Sequence, residues 1–248
     1  MIELNNIHKS FNGHDVLKGI SFKVKKGEIL VLIGMSGYGK SVILKHVVGL
    51  LTPDKGEVIV DGLEVNKLSK KALADLRSRI GFLFQGGALF ESMTVFDNVA
   101  FPLKEKGRLD RAVIEKKVLN VIDQVGLSGA ENKYPSQLSG GMQKRAALAR
   151  ELVWEPEIMI FDEPTTGLDP IIGHAILNLI EEMHNRMRFT GIIITHELSR
   201  VFKIVNKVAM LHEGVIIEMG RPEEMLSSKN SLVRQFLSGD TEGPISFR

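Results

Sequence analysis

Cysteine is absent from all 248 residues. That removes disulfides, thiolate zinc sites, Cys-ligated iron–sulfur clusters and cysteine nucleophiles together. It also fits a reducing compartment. An excess of one charge is missing too: 32 Lys and Arg face 30 Asp and Glu, for a formal net charge of +2. So small a surplus argues against a broad nucleic-acid-binding face, and no nucleic-acid partner is expected. Long apolar runs are lacking. The longest, "ILVLIG" and "GIIIT", are core-strand length, well short of the roughly 20 residues of a membrane span. The opening "MIELNNIHKSF" has no basic start, apolar middle or small-residue cleavage site of a signal peptide. No repeat and no low-complexity tract is present. A soluble, cytoplasmic chain is therefore expected, and any work at a membrane needs a partner that supplies the spanning helices.

What is present suits one sizeable α/β domain with a subdomain. Short strands open the chain, "MIELNNIHKSF" and "VLKGISFKV", followed by a "KKGE" turn. "ILVLIG" is a continuous apolar run, the pattern of a strand buried on both faces. A helix is predicted from Lys40 to about Leu51, then a strand at "GEVIVDG", a polar helix at "SKKALADLRSR" and a strand at "IGFLFQ". From about Gly86 to Trp154 the patterns turn helical, as in "DRAVIEKKVLNVIDQVGL". Strand signals return in "EIMIFDEP", "GIIITHE" and "KVAMLHEGVIIEMG", with helices near "GHAILNLIEEMHNRMR" and "SRVFKIV". Strands alternating with helices imply βαβ units and a mostly parallel sheet. The tail "FLSGDTEGPISFR" is expected to be extended.

One stretch carries phosphate chemistry. Gly34, Gly39, Lys40 and Ser41 fit G-x-x-x-x-G-K-[ST], between a buried strand and a helix. In the loop Gly34, Met35, Ser36, Gly37, Tyr38, Gly39, glycines let successive backbone N–H groups turn toward phosphate oxygens. The helix N-terminus adds partial positive charge. Lys40 brings an ammonium to the β- and γ-phosphates, and Ser41 offers a hydroxyl to Mg²⁺. "EIMIFDEP" supplies the acids at a strand's C-terminal end, where ligands of parallel sheets gather. Asp162 is the candidate to hold Mg²⁺ through a water. Glu163, one residue on, is the candidate to orient and deprotonate the attacking water.

A second glycine pair opens another helix in "LSGGMQKRAALARELV". Ser139 is placed to cap it, Gly140 and Gly141 leave its N–H groups open, and positions 142, 146, 149 and 153 make one apolar stripe. Read by itself this is a capped helix. In order, however, "GMSGYGKS", "FQ" at Phe84–Gln85, "LSGGM", "IMIFDEP", "GLDP" and "TH" at Thr195–His196 resemble the ATPase of an ABC transporter over essentially the whole chain. That resemblance implies a P-loop NTPase core of mostly parallel sheet, an N-terminal antiparallel β subdomain and a helical signature subdomain. The boundaries it suggests are a RecA-like core of 1–86 and 155–237, a helical part of about 87–154, and a tail of 238–248. It also implies a head-to-tail pair of copies, each ATP held between the first loop of one chain and, in trans, Ser139, Gly140, Gly141 and Met142 of the other. A two-fold axis makes such reciprocal sharing possible.

Further roles follow from the resemblance. Phe11 aligns with the aromatic that stacks on adenine. Gln85 aligns with a glutamine that contacts Mg²⁺ and water and reports to the transmembrane partner. Asp169 belongs to a loop crossing the interface, and His196 aligns with the switch histidine at the γ-phosphate. Three positions depart from common patterns: Met142 stands where Gln is frequent, Val42 where Thr is frequent, and Tyr38 is bulky within the loop. None removes a catalytic group.

"GKSVILKHVVGLL", "FQGGALFESMTVFDNVAFPL" and the tail look like the ATPase subunit of the Mla/Mce lipid-transport group, where Val42 and Met142 are usual. This implies ATP and Mg²⁺ as cofactors and an integral-membrane permease of MlaE type as partner. It also implies an Mce-domain protein with accessory subunits and a peripheral place on the cytoplasmic face of a bacterial inner membrane. The apolar residues of Gly86 to Leu103 are candidates both for a permease-docking groove and for the core. The alternatives are an ABC ATPase for another cargo, such as an amino acid or metal, or a permease-free one in DNA repair or translation. The latter tend to carry a long coiled coil or two cassettes, and this chain has neither.

Overall fold

The computed structural model describes residues 1–105, 107 and 109–245. The elements begin with β1 (Ile2–Phe11), β2 (His14–Val24), β3 (Ile29–Ile33), α1 (Lys40–Val47), β4 (Lys55–Val60), β5 (Leu63–Glu64) and α2 (Lys70–Arg77). They continue with β6 (Ile80–Leu83), α3 (Val95–Glu105), α4 (Arg111–Gln124), α5 (Gly140–Leu152), β7 (Ile158–Asp162) and α6 (Pro170–Met187). The chain closes with β8 (Thr190–Ile194), α7 (Leu198–Val201), β9 (Lys207–His212), β10 (Val215–Gly220), α8 (Pro222–Leu226) and α9 (Ser231–Ser238). Two compact units result, residues 1–77 with 190–248, and residues 78–189.

The first unit holds an antiparallel sheet in the order β2-β1-β4-β5. Its hairpin turns are Asn12-Gly13 and Asp61-Gly62, with φ of 50° and 81°, and 52° and 78°. Two consecutive left-handed residues make the turn whose twist matches that of paired strands. Glu213-Gly214 repeats the device between β9 and β10. In the same unit β3 pairs in parallel with β8 and β9. Ile29 to Ile33 and Thr190 to Ile194 are buried at every position, as the unbroken apolar runs require. Helix α1 stops at Val47, short of the expected Leu51, because Gly49 takes φ +66° and its N–H bonds back to the His46 carbonyl at 3.0 Å.

The second unit contains the parallel pair β6–β7 with α3, α4, α5 and α6. Helix α5 differs from the single stripe expected of it. Lys144, Ala146, Ala147, Leu148, Ala149, Arg150 and Leu152 are all buried, and Met142 is only half-buried. Small alanines let this helix pack on several sides at once. Before α3 the chain is held by Asn98, which is fully buried. Its Oδ1 accepts from Phe90 N at 2.8 Å, and its Nδ2 donates to the carbonyls of Phe90, Met93 and Thr94 at 3.0–3.1 Å. The apolar residues of this stretch divide between core and surface. Val95, Val99 and Ala100 are core, while Phe90 is exposed and lies 4.7 Å from Phe101, ring centre to ring centre.

The C-terminal segment departs from the expected extended tail. Helix α9 takes in Phe236 to Ser238, and Gly239 ends it in the left-handed conformation. Residues beyond fold back. Gln235 Oε1 accepts from Ile245 N at 2.7 Å, and its Nε2 donates to Ile245 O at 3.1 Å and Asp240 O at 3.2 Å. Ile245 is thereby buried. The resemblance to the Mla/Mce group also implies a tail, 238–248, that reaches the partner subunit; its Ser246 to Arg248 lie outside the described residues.

Candidate active site

The phosphate loop leaves β3 at Gly34 and enters α1 at Lys40. Gly34 has φ +138°, and a Cβ there would stand 2.1 Å from the Leu211 carbonyl oxygen of β9. No side chain fits. Gly34→Ala is expected to cost at least about 1–3 kcal/mol in backbone strain, before the clash is counted. A thermal melt checks this, since each kcal/mol is worth about 2–4 °C in a chain of this size. An unchanged melting temperature would contradict the packing of β9 against the loop.

Further along, Gly37 and Gly39 also take left-handed φ, 84° and 95°. Val16 and Leu17 of β2 close against Gly39. Lys40 is 5% exposed, and its Nζ donates to the carbonyls of Gly34 at 2.7 Å and Met35 at 2.8 Å. The loop is therefore wrapped around its own lysine. Ser36 is exposed, and Ser41 and Val42 are half-buried on the first turn of α1. Tyr38, foreseen only as bulky, has a partner: its ring meets His212 edge-on at 5.2 Å. Phe11 ends β1, is 39% exposed, and has the Lys9 ammonium 5.5 Å from its ring centre. His196 follows β8 and is exposed, after a buried Thr195 whose Oγ1 accepts from Glu197 N.

In the second unit Asp162 is the last residue of β7 and half-buried. Glu163 follows with φ +51°, a left-handed conformation uncommon for a residue with a side chain. Two donors converge on its Oε2: Gln85 Nε2 at 3.1 Å and Thr166 Oγ1 at 2.8 Å. The structure thus brings together Gln85 and Glu163, far apart in sequence. Thr166 was not foreseen; it lies in "TTGLDP", where only Asp169 drew attention.

Ser139 caps α5, its side chain accepting from Met142 N at 3.4 Å. Ser139 and Gly140 are exposed, and Gly141 is half-buried. Against them lies the start of α6: a Cβ on Gly140 would be 3.3 Å from Leu168, and one on Gly141 2.6 Å from Ile172. Asp169 caps α6, its Oδ1 accepting from Ile171 N and Ile172 N at 3.1 Å. Beside it Ile171 is 80% exposed.

A buried ridge of α5 runs under the segment that carries Gln85. Lys144 Nζ donates to the Gln85 carbonyl, and Arg150 donates to Ala88 O at 2.7 Å and Gly87 O at 3.0 Å. Glu151 accepts from Phe82 N at 3.3 Å. Burial pushes the Lys144 ammonium pKa down, and the Glu163 charge pulls it back up. Burial likewise raises the Glu151 carboxyl, against the pull of Arg150. None of these residues was foreseen; Lys144 and Arg150, six positions apart on an alanine-rich helix, were the available signal.

A glycine loop opening a helix after a buried strand, with an acidic pair ending another, defines a P-loop nucleotide hydrolase. The Ser41 hydroxyl of the first unit and the Asp162 carboxylate of the second are each oxygen donors of the hard kind that suits Mg²⁺. The ABC transporter domain matches residues 17–166. The chain belongs to the ABC transporter family, as an ATP-binding subunit that hydrolyses ATP. It is 39% identical over 248 residues, all of this chain and 94% of the other, to the intermembrane phospholipid transport system ATP-binding protein MlaF of Haemophilus influenzae. It is 41% identical over 244 residues, 98% of this chain and 68% of the other, to a probable ribonucleotide transport ATP-binding protein, mkl, of Mycobacterium bovis. Among solved structures, the dimeric post-hydrolysis state of the ATP-binding cassette MJ0796 bound to ADP and Pi matches with a TM-score of 0.82 and 30% identity. That match covers 90% of this chain and 99% of the other.

Proposed function

We propose that this subunit powers phospholipid transport, working as a head-to-tail pair of copies beneath an integral-membrane permease of MlaE type. Residues 1–86 and 155–237 act as the RecA-like core, 87–154 as the helical part, and 238–248 as a tail. The observation that carries the hydrolytic reading is the Glu163 carboxylate at the end of β7, gripped by Gln85 and Thr166. There it orients water and takes its proton. Lys40 neutralises β- and γ-phosphate charge as it moves in the transition state. Gly34 to Val42 wrap the phosphates, Phe11 supports the adenine, and His196 contacts the γ-phosphate.

Ser41, Asp162 and Gln85 are the residues that would hold Mg²⁺. Among the described residues no group of three or more His, Asp or Glu is arranged to hold a metal. Mg²⁺ takes most of its ligands from phosphate and water. When bound it supplies charge neutralisation on the phosphates. In trans, Ser139, Gly140, Gly141, Met142 and Asp169 of the second copy complete the site. The similarity to a cassette solved as a dimer supports this, and exposed Ile171 gives the pair an apolar contact.

Among the described residues no helix is long and apolar enough to cross a membrane, so the permease supplies the spans. Exposed Phe84 and Phe90, flanking Gln85, offer it an apolar seat. Placement on the cytoplasmic face of a bacterial inner membrane, with an Mce-domain protein and accessory subunits, belongs to the same reading.

The cargo reading is carried by the full-length similarity to a phospholipid-system subunit. A second reading, ribonucleotide transport, draws on the mycobacterial relative at 41% identity. Co-purification from membranes with analysis of the extracted small molecules separates them. A permease with bound phospholipid is expected. A permease carrying nucleotide and no lipid would favour the second reading, and a soluble complex with nucleic acid would overturn both.

A further inference from the structure

We propose that Lys144 is a positioning residue for hydrolysis: by holding the Gln85 carbonyl it sets the turn from which the Gln85 amide reaches Glu163. The inference rests on the hydrolytic reading above and extends it to a side chain outside the residues proposed to bind the nucleotide.

Lys144 is only 8% exposed. Burying an ammonium is costly unless it is hydrogen-bonded, so a residue needed only to fill space here would be apolar. Its Nζ instead donates to the main chain of the residue whose side chain grips Glu163. The segment it holds has reason to need a clamp. Phe84 to Gly87 form a turn closed by Gly87 N to Phe84 O at 2.8 Å, and Gly87 and Ala88 both take left-handed φ, 72° and 51°. Arg150, 7% exposed, takes the carbonyls of Gly87 and Ala88. Ala147 lies between the two cations in sequence, and a Cβ on Gly87 would be 3.3 Å from its methyl. Residues 144, 147 and 150 thus form one ridge of α5 at three-residue spacing.

Ser139, Gly140 and Gly141 begin this same helix. In a head-to-tail pair they serve the partner's nucleotide. Lys144 therefore ties the element that touches one nucleotide to the carboxylate that acts on the other.

The test is steady-state ATPase of the full-length chain carrying Lys144→Met, Lys144→Gln, Gln85→Ala, or Lys144→Met with Gln85→Ala. Met keeps the length without a donor, and Gln restores a donor without the charge. Lys144→Met is expected to lower kcat about tenfold, equivalent to about 1.4 kcal/mol, and to change the KM for ATP by less than about twofold. Lys144→Gln should regain most of that loss. The doubly substituted chain should be no slower than Gln85→Ala alone, because both changes break one linkage.

The proposal is overturned if the two losses add in full, if Lys144→Gln is as slow as Lys144→Met, or if KM rises as kcat falls. Should Lys144→Met not fold, Lys144→Gln alone decides: near-wild-type kcat supports the clamp, and a slowed one overturns it. A wild-type chain without ATPase activity, or a Glu163→Gln chain with full turnover, would instead defeat the hydrolytic reading.

Discussion

Replacing Glu163 by Gln is expected to lower ATP turnover by about 10²–10⁴-fold, the usual worth of a general base, while ATP still binds. The substitution is well matched to the site. Gln85 Nε2 and Thr166 Oγ1 both donate to one carboxylate oxygen, and a carboxamide oxygen accepts from both. The left-handed backbone at this position is strained for either residue. Geometry is thus conserved and only the proton acceptor is lost. Phosphate release gives the rate, and a fluorescent nucleotide gives the affinity. If hydrolysis releases the paired state, the Gln chain with ATP should also run as a dimer on a sizing column. Turnover within about tenfold of wild type would assign the base elsewhere.

Lys40→Ala and Ser139→Arg should each abolish turnover, for different reasons. Lys40 sits at the centre of its loop, folded onto the carbonyls of Gly34 and Met35. A hydrogen bond to a charged group contributes about 1.5–3 kcal/mol, so losing one to the phosphates weakens ATP about 10- to 150-fold. The loop also loses its internal tie. Ser139 does nothing for its own chain beyond capping α5, and losing that cap costs about 1 kcal/mol. Arg there leaves the first loop intact but fills the exposed helix end that we propose meets a neighbour's phosphate. The Ser139→Arg chain should bind ATP normally and fail to turn it over.

The local frame of the candidate site was legible where it needs contiguous residues. A phosphate loop must follow its strand and open its helix within a few positions, so Gly34 to Ser41 could be read directly. The same holds for Asp162-Glu163, because the run before them is buried on both faces. Strands such as Ile29–Ile33 were legible for that reason. What escaped depends on side chains meeting main chain far away. Lys144 and Gln85 are 59 positions apart, and the spacing of charges along an alanine-rich helix does not say which carbonyl a buried cation will meet. Gln235 gripping Ile245 is shorter in range, but a Gly- and Pro-bearing tail reads as extended until its glutamine is seen to close it. Thr166 was hidden differently: it stands beside more conspicuous residues, and only the left-handed turn at Glu163 brings its hydroxyl back to the carboxylate.

Mixing the two defective chains tests the shared site most directly. In a one-to-one mixture about half of the dimers pair a Lys40→Ala chain with a Ser139→Arg chain. If ATP lies between chains, each such dimer has one site with both defects and one with neither. About a quarter of wild-type single-turnover hydrolysis should then appear from two inactive parents, by the same two-fold symmetry. If each chain encloses its own nucleotide, every site in the mixture keeps a defect. Activity that stays at the sum of the two parents would contradict the account.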